Sequence, residues 1–242
     1  MEVYHYTKFD CLDKIVTKNG LSFRGSFYEE FSDSDYKWTK RVVSRIIKRI
    51  CINRYACYDE DSSFSPIIIS FGKNTHSKYM WEKYAEQYTG IQLILDSNKI
   101  QQYAKTKLDY FSHCVYMRKK GKMKRFLEHF SYNIECVNVP QLNIEAVSTL
   151  IKPIRFRKEQ EVRYILSYSK LCSAHFTNGK VIFKEAIPLS SDKERFVCFP
   201  KETLLGIKVG YKSLEQLNEV RRLLIKCGYD LSLVNIEIYN PL

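Results

Sequence analysis

The segment RFRKEQEVRYIL, residues 155–166, places Glu159, Glu161 and Arg163 at every second position, with Val162, Tyr164 and Leu166 between later members of the series. That is the period-two pattern of a half-buried strand, so two carboxylates and a guanidinium are expected on one face. A guanidinium keeps neighbouring carboxylates ionised. An ionised carboxylate can stabilise a developing positive charge, and a second one can accept a proton. The rival reading is a strand whose Glu and Arg face water and pair with neighbours. Three further clusters carry groups of interest: His5 with Thr7 in YHYT, Ser70 in ISF, and Trp81 with Tyr84 in MWEKYA. A lone strand histidine is commonly a packed, hydrogen-bonded residue, and a Trp/Tyr pair at i, i+3 on a helix is commonly core.

Other chemistries find little support. His5, His76, His113, His129 and His175 are scattered without an H-E-x-x-H, and none of the eight cysteines forms a C-x-x-C. No metal site is expected from these spacings. Neither a Gly-rich phosphate loop nor a G-x-S-x-G is present.

The elements that must position these residues follow from periodicity and capping. Residues 2–6 read as a strand, and Thr7 with Asp10 predicts a capping box opening a helix that ends at Asn19-Gly20. LSFRGSF predicts a strand, and YEEFSDSDY an acidic turn-prone loop. Residues 38–55, WTKRVVSRIIKRICINRY, predict a basic amphipathic helix with Val43, Ile46, Ile47 and Ile50 on its apolar side. It is taken as a basic helical insertion near 37–56. SPIIISF at 65–71 predicts a buried strand, HSKYMWEKYAEQYTG a helix closed by Gly90, and IQLILD at 91–96 a strand. The run YMRKKGKMKRF at 116–126 reads as a basic connector. TNGK predicts a hairpin, and LLGIKVG another strand. SLEQLNEVRRLLIKCG predicts a helix capped by Ser213 and Gln216 and stopped at Gly228, before a final strand LVNIEIY. Strands and helices mix without a repeat or a linker rich in Gly, Pro or Ser, so residues 1–242 are expected to form a single mixed α+β domain.

Composition bounds the partners. Lys and Arg number 39 against 27 Asp and Glu, a net charge of +12. Such a surplus favours polyanionic partners or anionic substrates, with Lys40, Arg41, Arg45, Lys48, Arg118 and Lys119 as candidate contacts to DNA or RNA; the rival reading is a solvated, lysine-rich surface. The N-terminal sequence has no basic stretch followed by an apolar one, and no apolar run approaches the ~20 residues that span a bilayer. Cysteines without paired spacing fit a reducing compartment, so a cytoplasmic protein without membrane contact is expected.

Taken in order, the clusters resemble a bacterial domain family of unknown function. Its members start Y-H-Y-T, pass through an acidic loop and an I-S-F strand, continue with M-W-x-x-Y-A, a Gly and a strand ending in Asp, and later show a Lys-initiated segment with E-x-E-x-R. The matching residues are Tyr4-His5-Tyr6-Thr7, Phe31-Ser32-Asp33, Ile69-Ser70-Phe71, Met80-Trp81 with Tyr84-Ala85, Gly90, Asp96, and Lys152 with Glu159, Glu161 and Arg163. Ile207 to Gly210 match a late I-x-x-G strand. The loop FSDSDY departs from the family by lacking its Asn and Pro.

More distantly, the arrangement is similar to the ADP-ribosyltransferase fold, a split sheet with flanking helices. That resemblance implies cleavage of the nicotinamide–ribose bond of NAD, with NAD as substrate. On this reading Glu161 binds the ribose and stabilises an oxocarbenium-like transition state, Glu159 acts as general base toward the acceptor, and His5 hydrogen-bonds the adenosine-side ribose. Thr7, Ser70 and Arg163 complete the site, and Tyr84 or Trp81 stacks on nicotinamide. The resemblance implies a toxin or phage-defence effector with an antitoxin or other protein as a partner, and the net charge adds nucleic acid as an acceptor. Two other readings stay open: an inactive nucleotide- or nucleic-acid-binding module of the same fold, and a nuclease using Asp33, Asp35 and the glutamates around Mg²⁺.

Overall fold

A computed structural model describes residues 1–27, 30, 67–107, 109–117, 149–166, 174–177, 180–183 and 195–241. In chain order its strands are β1 (Glu2–Thr7), β2 (Val16–Thr17), β3 (Gly20–Arg24), β4 (Ser26–Phe27), β5 (Ile67–Gly72), β6 (Ile91–Asp96), β7 (Tyr110–His113) and β8 (Val115–Met117). There follow β9 (Ile151–Pro153), β10 (Glu161–Ile165), β11 (Ala174–Thr177), β12 (Lys180–Phe183), β13 (Phe196–Phe199), β14 (Leu204–Gly210) and β15 (Asn235–Tyr239). The helices are a single turn α1 (Leu12–Ile15), then α2 (Lys78–Tyr84), α3 (Ser97–Lys107) and α4 (Leu217–Lys226). This is a mixed α+β architecture.

The main sheet runs β15-β14-β6-β1-β5-β10-β7, with β4 also on β5. Only the β14–β15 pair is parallel within it. Pairing is uneven across its centre. β1 matches β6 at six positions, Glu2↔Asp96 through Thr7↔Ile91, and β5 matches β10 at five, Glu161↔Gly72 through Ile165↔Ile68. β1 and β5 meet only at Tyr4↔Gly72. The sheet is therefore two well-paired halves joined at one residue pair.

Alternation along the strands then decides what faces where. Val3, Phe71, Leu93, Leu95, Val162, Tyr164 and Ile207 join the large core, which α4 covers with Val220 and Leu224. The opposite face holds Tyr4, Tyr6, Ile94 and Tyr239 against Trp81 and Ala85 of the α2 segment. Ser70, Glu161 and Arg163 alternate with Phe71, Val162 and Tyr164, which puts them on that second face. One strand pattern thus builds both a core and a polar site.

Several expectations need correction. Thr7 ends β1 and caps nothing; a 3-10 turn begins after Lys8, with no side-chain cap. The helix expected up to Asn19-Gly20 is one turn, because β-branched Val16 and Thr17 extend into β2 and pair with Leu21 and Gly20. Asn19-Gly20 is a hairpin corner: Gly20 sits at φ 133° and Thr17 Oγ1 donates to Gly20 O at 2.8 Å. Ser213 does not cap α4 either, since its hydroxyl donates to Thr89 O at 3.0 Å and a 3-10 turn precedes the helix. Gly228, at φ 72°, closes α4 as expected. The two-residue connection between β11 and β12 agrees with the hairpin expected at TNGK. The helix expected from His76 to Gly90 ends at Tyr84. Glu86, Gln87 and Tyr88 then adopt φ of 48°, 53° and 75°. Helix α3 was not anticipated, because only Ile100 and Ala104 of its eleven residues are buried apolar ones. The basic segment 37–56, the acidic loop 31–36 and residues 118–126 lie outside the described residues.

Candidate active site at the junction of the sheet halves

Glu161 is the first residue of β10, and its backbone N–H donates to the Tyr116 hydroxyl at 2.7 Å. Its carboxylate is buried and takes four donors. Ser70 Oγ, from β5, donates to Oε1, as does Arg163 Nε at 2.7 Å. Lys152 Nζ, from β9, donates to Oε2 at 2.5 Å, with Arg163 Nη2 at 3.3 Å. Burial alone would push this carboxyl up, but Arg163 and Lys152 outweigh it and hold it at about 2. It is anionic at any physiological pH.

Glu159 arrives by a different route. It ends the 3-10 turn Ile154–Glu159, and Gln160 at φ 43° separates it from the strand. The expected shared strand face is therefore wrong for Glu159, which precedes the break. Both carboxylates nonetheless converge, because Lys152 Nζ also donates to Glu159 Oε2 at 2.6 Å. Glu159 Oε1 accepts from Lys83 Nζ at 2.7 Å and from the Tyr84 hydroxyl at 3.0 Å. Burial favours its neutral form, yet Lys152 and then Lys83 keep it below the ordinary glutamate range. Burial, together with the nearby Glu159 carboxylate, pushes the Tyr84 phenol up to about 12 against the opposing pull of Lys83, so it acts as a donor.

His5 alternates with Tyr4 and Tyr6 on β1, so its ring lies on the Val3 and Phe71 side of the sheet while its Nδ1 reaches β5. Its Nδ1 lies 3.1 Å from Ser70 O, which only accepts, so Nδ1 carries the proton and Nε2 keeps a lone pair. Rings of Phe23 and Phe71 pack on it with centroids at 5.0 and 5.9 Å, and burial holds its pKa below the ordinary value. Together these residues line a cavity of about 410 Å³, bordered by His5, Ser70, Tyr84, Glu159 and Glu161, with Phe156, Met80, Lys83 and Glu30 at other points of its wall. Arg195, itself buried, fixes Glu30 through a 2.6 Å ion pair.

Of the residues singled out from sequence, His5, Ser70, Tyr84, Glu159 and Glu161 meet here. Trp81 does not: it is fully buried and stacks on Tyr239 with centroids 4.4 Å apart, so it is core and has no face for a ligand. Arg163 is also fully buried, behind Glu161, with Nη1 donating to Thr149 O. It holds the carboxylate ionised from behind and does not touch the cavity. Thr7 lies outside the cavity wall. Lys40, Arg41, Arg45, Lys48, Arg118 and Lys119 fall outside the described residues, as do Asp33 and Asp35. Sequence reasoning gave no role to Lys152 or Lys83. The signal for Lys152 was present, a single charge inside the apolar run LIKPI at 150–154. Among the described residues no group of three His, Cys, Asp or Glu side chains is arranged to hold a metal ion.

Fold and site thus define an α+β protein with a charged cavity at the junction of two sheet halves. A family model described as a protein of unknown function, DUF2971, matches residues 80–164, a stretch that carries Lys83, Tyr84, Lys152, Glu159, Glu161 and Arg163. No curated protein and no solved structure matches the chain. Among the described residues no helix is long and apolar enough to cross a membrane.

Proposed function

We propose that the cavity binds NAD and that the chain cleaves its nicotinamide–ribose bond, as an ADP-ribosyltransferase or NAD-cleaving enzyme. The observation that carries this reading is Glu161: a buried, ionised carboxylate on the cavity wall, hydrogen-bonded to Ser70 and one strand away from His5. The C1′–N bond breaks with its electron pair leaving on neutral nicotinamide. The ribosyl oxocarbenium that remains is stabilised by the Glu161 charge, and a ribose hydroxyl donates to the same carboxylate. Water, or a nucleophile of a nucleic acid, adds at C1′ and loses its proton. Glu159, the second carboxylate on the cavity wall, takes that proton as general base, with its basicity lowered by its partners Lys83 and Lys152. Neutral His5 offers Nε2 to a hydroxyl of the dinucleotide. Tyr84 supplies an aromatic edge for the nicotinamide.

We place the reaction in the cytoplasm, where the thiols of Cys11, Cys198 and Cys227 stay reduced. The net charge of +12 supports nucleic acid as acceptor; a role as toxin or phage-defence effector, with a protein antitoxin as partner, rests on the resemblance to ADP-ribosyltransferases. The test is release of nicotinamide from NAD by purified protein, with its loss in Glu161→Gln.

A second reading, an inactive binding module, is favoured by one observation. Lys152 and Arg163 already offset the Glu161 charge before any ligand arrives. It predicts saturable NAD binding by calorimetry without nicotinamide release.

A further inference from the structure

Arg163 alone does not orient Glu161. Its fork reaches both carboxylate oxygens, at 2.7 and 3.3 Å, so it does not by itself divide them between a cavity side and a buried side. Two other groups make that division. Ser70, which borders the cavity, donates to Oε1. Lys152, which does not border it, donates to Oε2 at 2.5 Å. The four contacts occupy the lone-pair capacity of a carboxylate, so a ligand hydroxyl gains Glu161 only by replacing one of them. Ser70 is the one that faces the cavity.

We propose that Lys152 is the positioning residue of this site: its ammonium, clamped between Glu159 and Glu161, keeps Glu161 Oε2 turned inward and offers only Oε1, beside Ser70, to a hydroxyl of a ribose-containing ligand. This deepens the NAD-cleavage reading and rests on it for the identity of the ligand. The clamp also explains Glu159. A lysine only 4% exposed is a buried charge, and a second carboxylate 2.6 Å away offsets it together with Glu161. Lys83, more exposed, then balances Glu159 from the rim. A compact ammonium suits this bridge, where a planar guanidinium would favour one partner. β9 delivers it: β8 and β9 run parallel with Tyr116↔Lys152 in register, and Tyr116 holds the Glu161 backbone from the same place.

The test reads Glu161 without any substrate. In the full chain, the Glu161 carboxyl is followed through a pH titration by ¹³C NMR, its signal assigned by its absence in Glu161→Gln. The groups facing it are Ser70 from β5, Tyr116 from β8, Lys152 from β9, Arg163 from β10 and Glu159 from the preceding turn. Removing a cation favours the neutral acid, so Lys152→Met is expected to raise the midpoint by about one unit or more. Glu159→Gln leaves Lys152 to Glu161 alone and is expected to leave the midpoint where it is or lower it. General loosening of the site would instead raise it in both. An unmoved midpoint in Lys152→Met, or a rise in both variants, overturns the proposal. If Lys152→Met does not fold, the Glu159→Gln titration decides alone, a rise there overturning it. Because turnover plays no part, the expected shifts in a protein that never releases nicotinamide would refute NAD cleavage and leave the role of Lys152 standing.

Discussion

Ser70 and Glu161 lie 91 positions apart in sequence, yet the serine hydroxyl donates directly to the glutamate carboxylate across neighbouring strands. β5 and β10 pair antiparallel with Ser70 opposite Arg163 and Gly72 opposite Glu161. Gly72 leaves the position opposite Glu161 without a side chain, so the serine one pair along can reach the carboxylate diagonally.

That contact gives the first expectation. A hydrogen bond to a charged group contributes about 1.5–3 kcal/mol, but a ribose hydroxyl takes the place of the Ser70 donor on Glu161, so Ser70→Ala should change nicotinamide release by less than about 10-fold. Glu161→Gln should cost about 100-fold or more. Steady-state assays of nicotinamide release check both, and wild-type rates in Glu161→Gln would remove that residue from the reaction.

His5 predicts a pH dependence of stability. Its folded pKa lies below the ordinary histidine value of 6.5, so below that pH the unfolded chain binds more protons than the folded one. Stability from this source is complete above pH 6.5 and declines as pH falls through 6.5 toward the folded value. His113 shifts in the same direction, through burial and then Lys73. Urea midpoints at pH 7.5 and 5.5 should therefore differ, and His5→Gln should shrink the difference without abolishing it.

Trp81 should behave as core. Trp81→Ala leaves a void beside Tyr6, Tyr88 and Tyr239 and is expected to cost about 3–5 kcal/mol. Trp81→Phe should cost less and leave NAD affinity unchanged. A large loss of affinity in Trp81→Phe, with thermal stability kept, would return the residue to the binding site.

Gly90 and Gly210 hold the left-handed turn at 86–88. A Cβ at Gly90 would collide with Thr7 O, and one at Gly210 with Tyr88 O. Both are backbone atoms between paired elements, so neither yields easily. Each Gly→Ala substitution is expected to lower stability by about 1–3 kcal/mol, read as a reduced denaturation midpoint.

The net charge of +12 predicts binding to DNA or RNA that weakens steeply with salt. Neutralising about six phosphates gives a log–log slope near −4 to −5. Charge reversal at Arg41, Arg45 and Lys48 should flatten it. No measurable binding at ~100 mM salt would leave a protein acceptor or plain hydrolysis.

Local pattern was enough for the α+β class, most strands, the Gly228 stop and the TNGK hairpin, because hydrophobic period and turn chemistry act over a few residues. It was also enough to mark Glu161, Ser70, His5 and Tyr84 by type. It misjudged Trp81, Arg163 and Glu159, since burial depends on what packs from elsewhere: Tyr239 covers Trp81, Thr149 anchors Arg163, and a left-handed Gln160 takes Glu159 off the strand. The short helix after Thr7 failed for a similar reason, with Val16 and Thr17 drawn into pairing with β3. Convergence itself was decided only by tertiary structure. A lysine on β9 can bridge two glutamates, and a histidine on β1 can reach β5 beside a single β1–β5 pair, only after strands far apart in sequence have found their register.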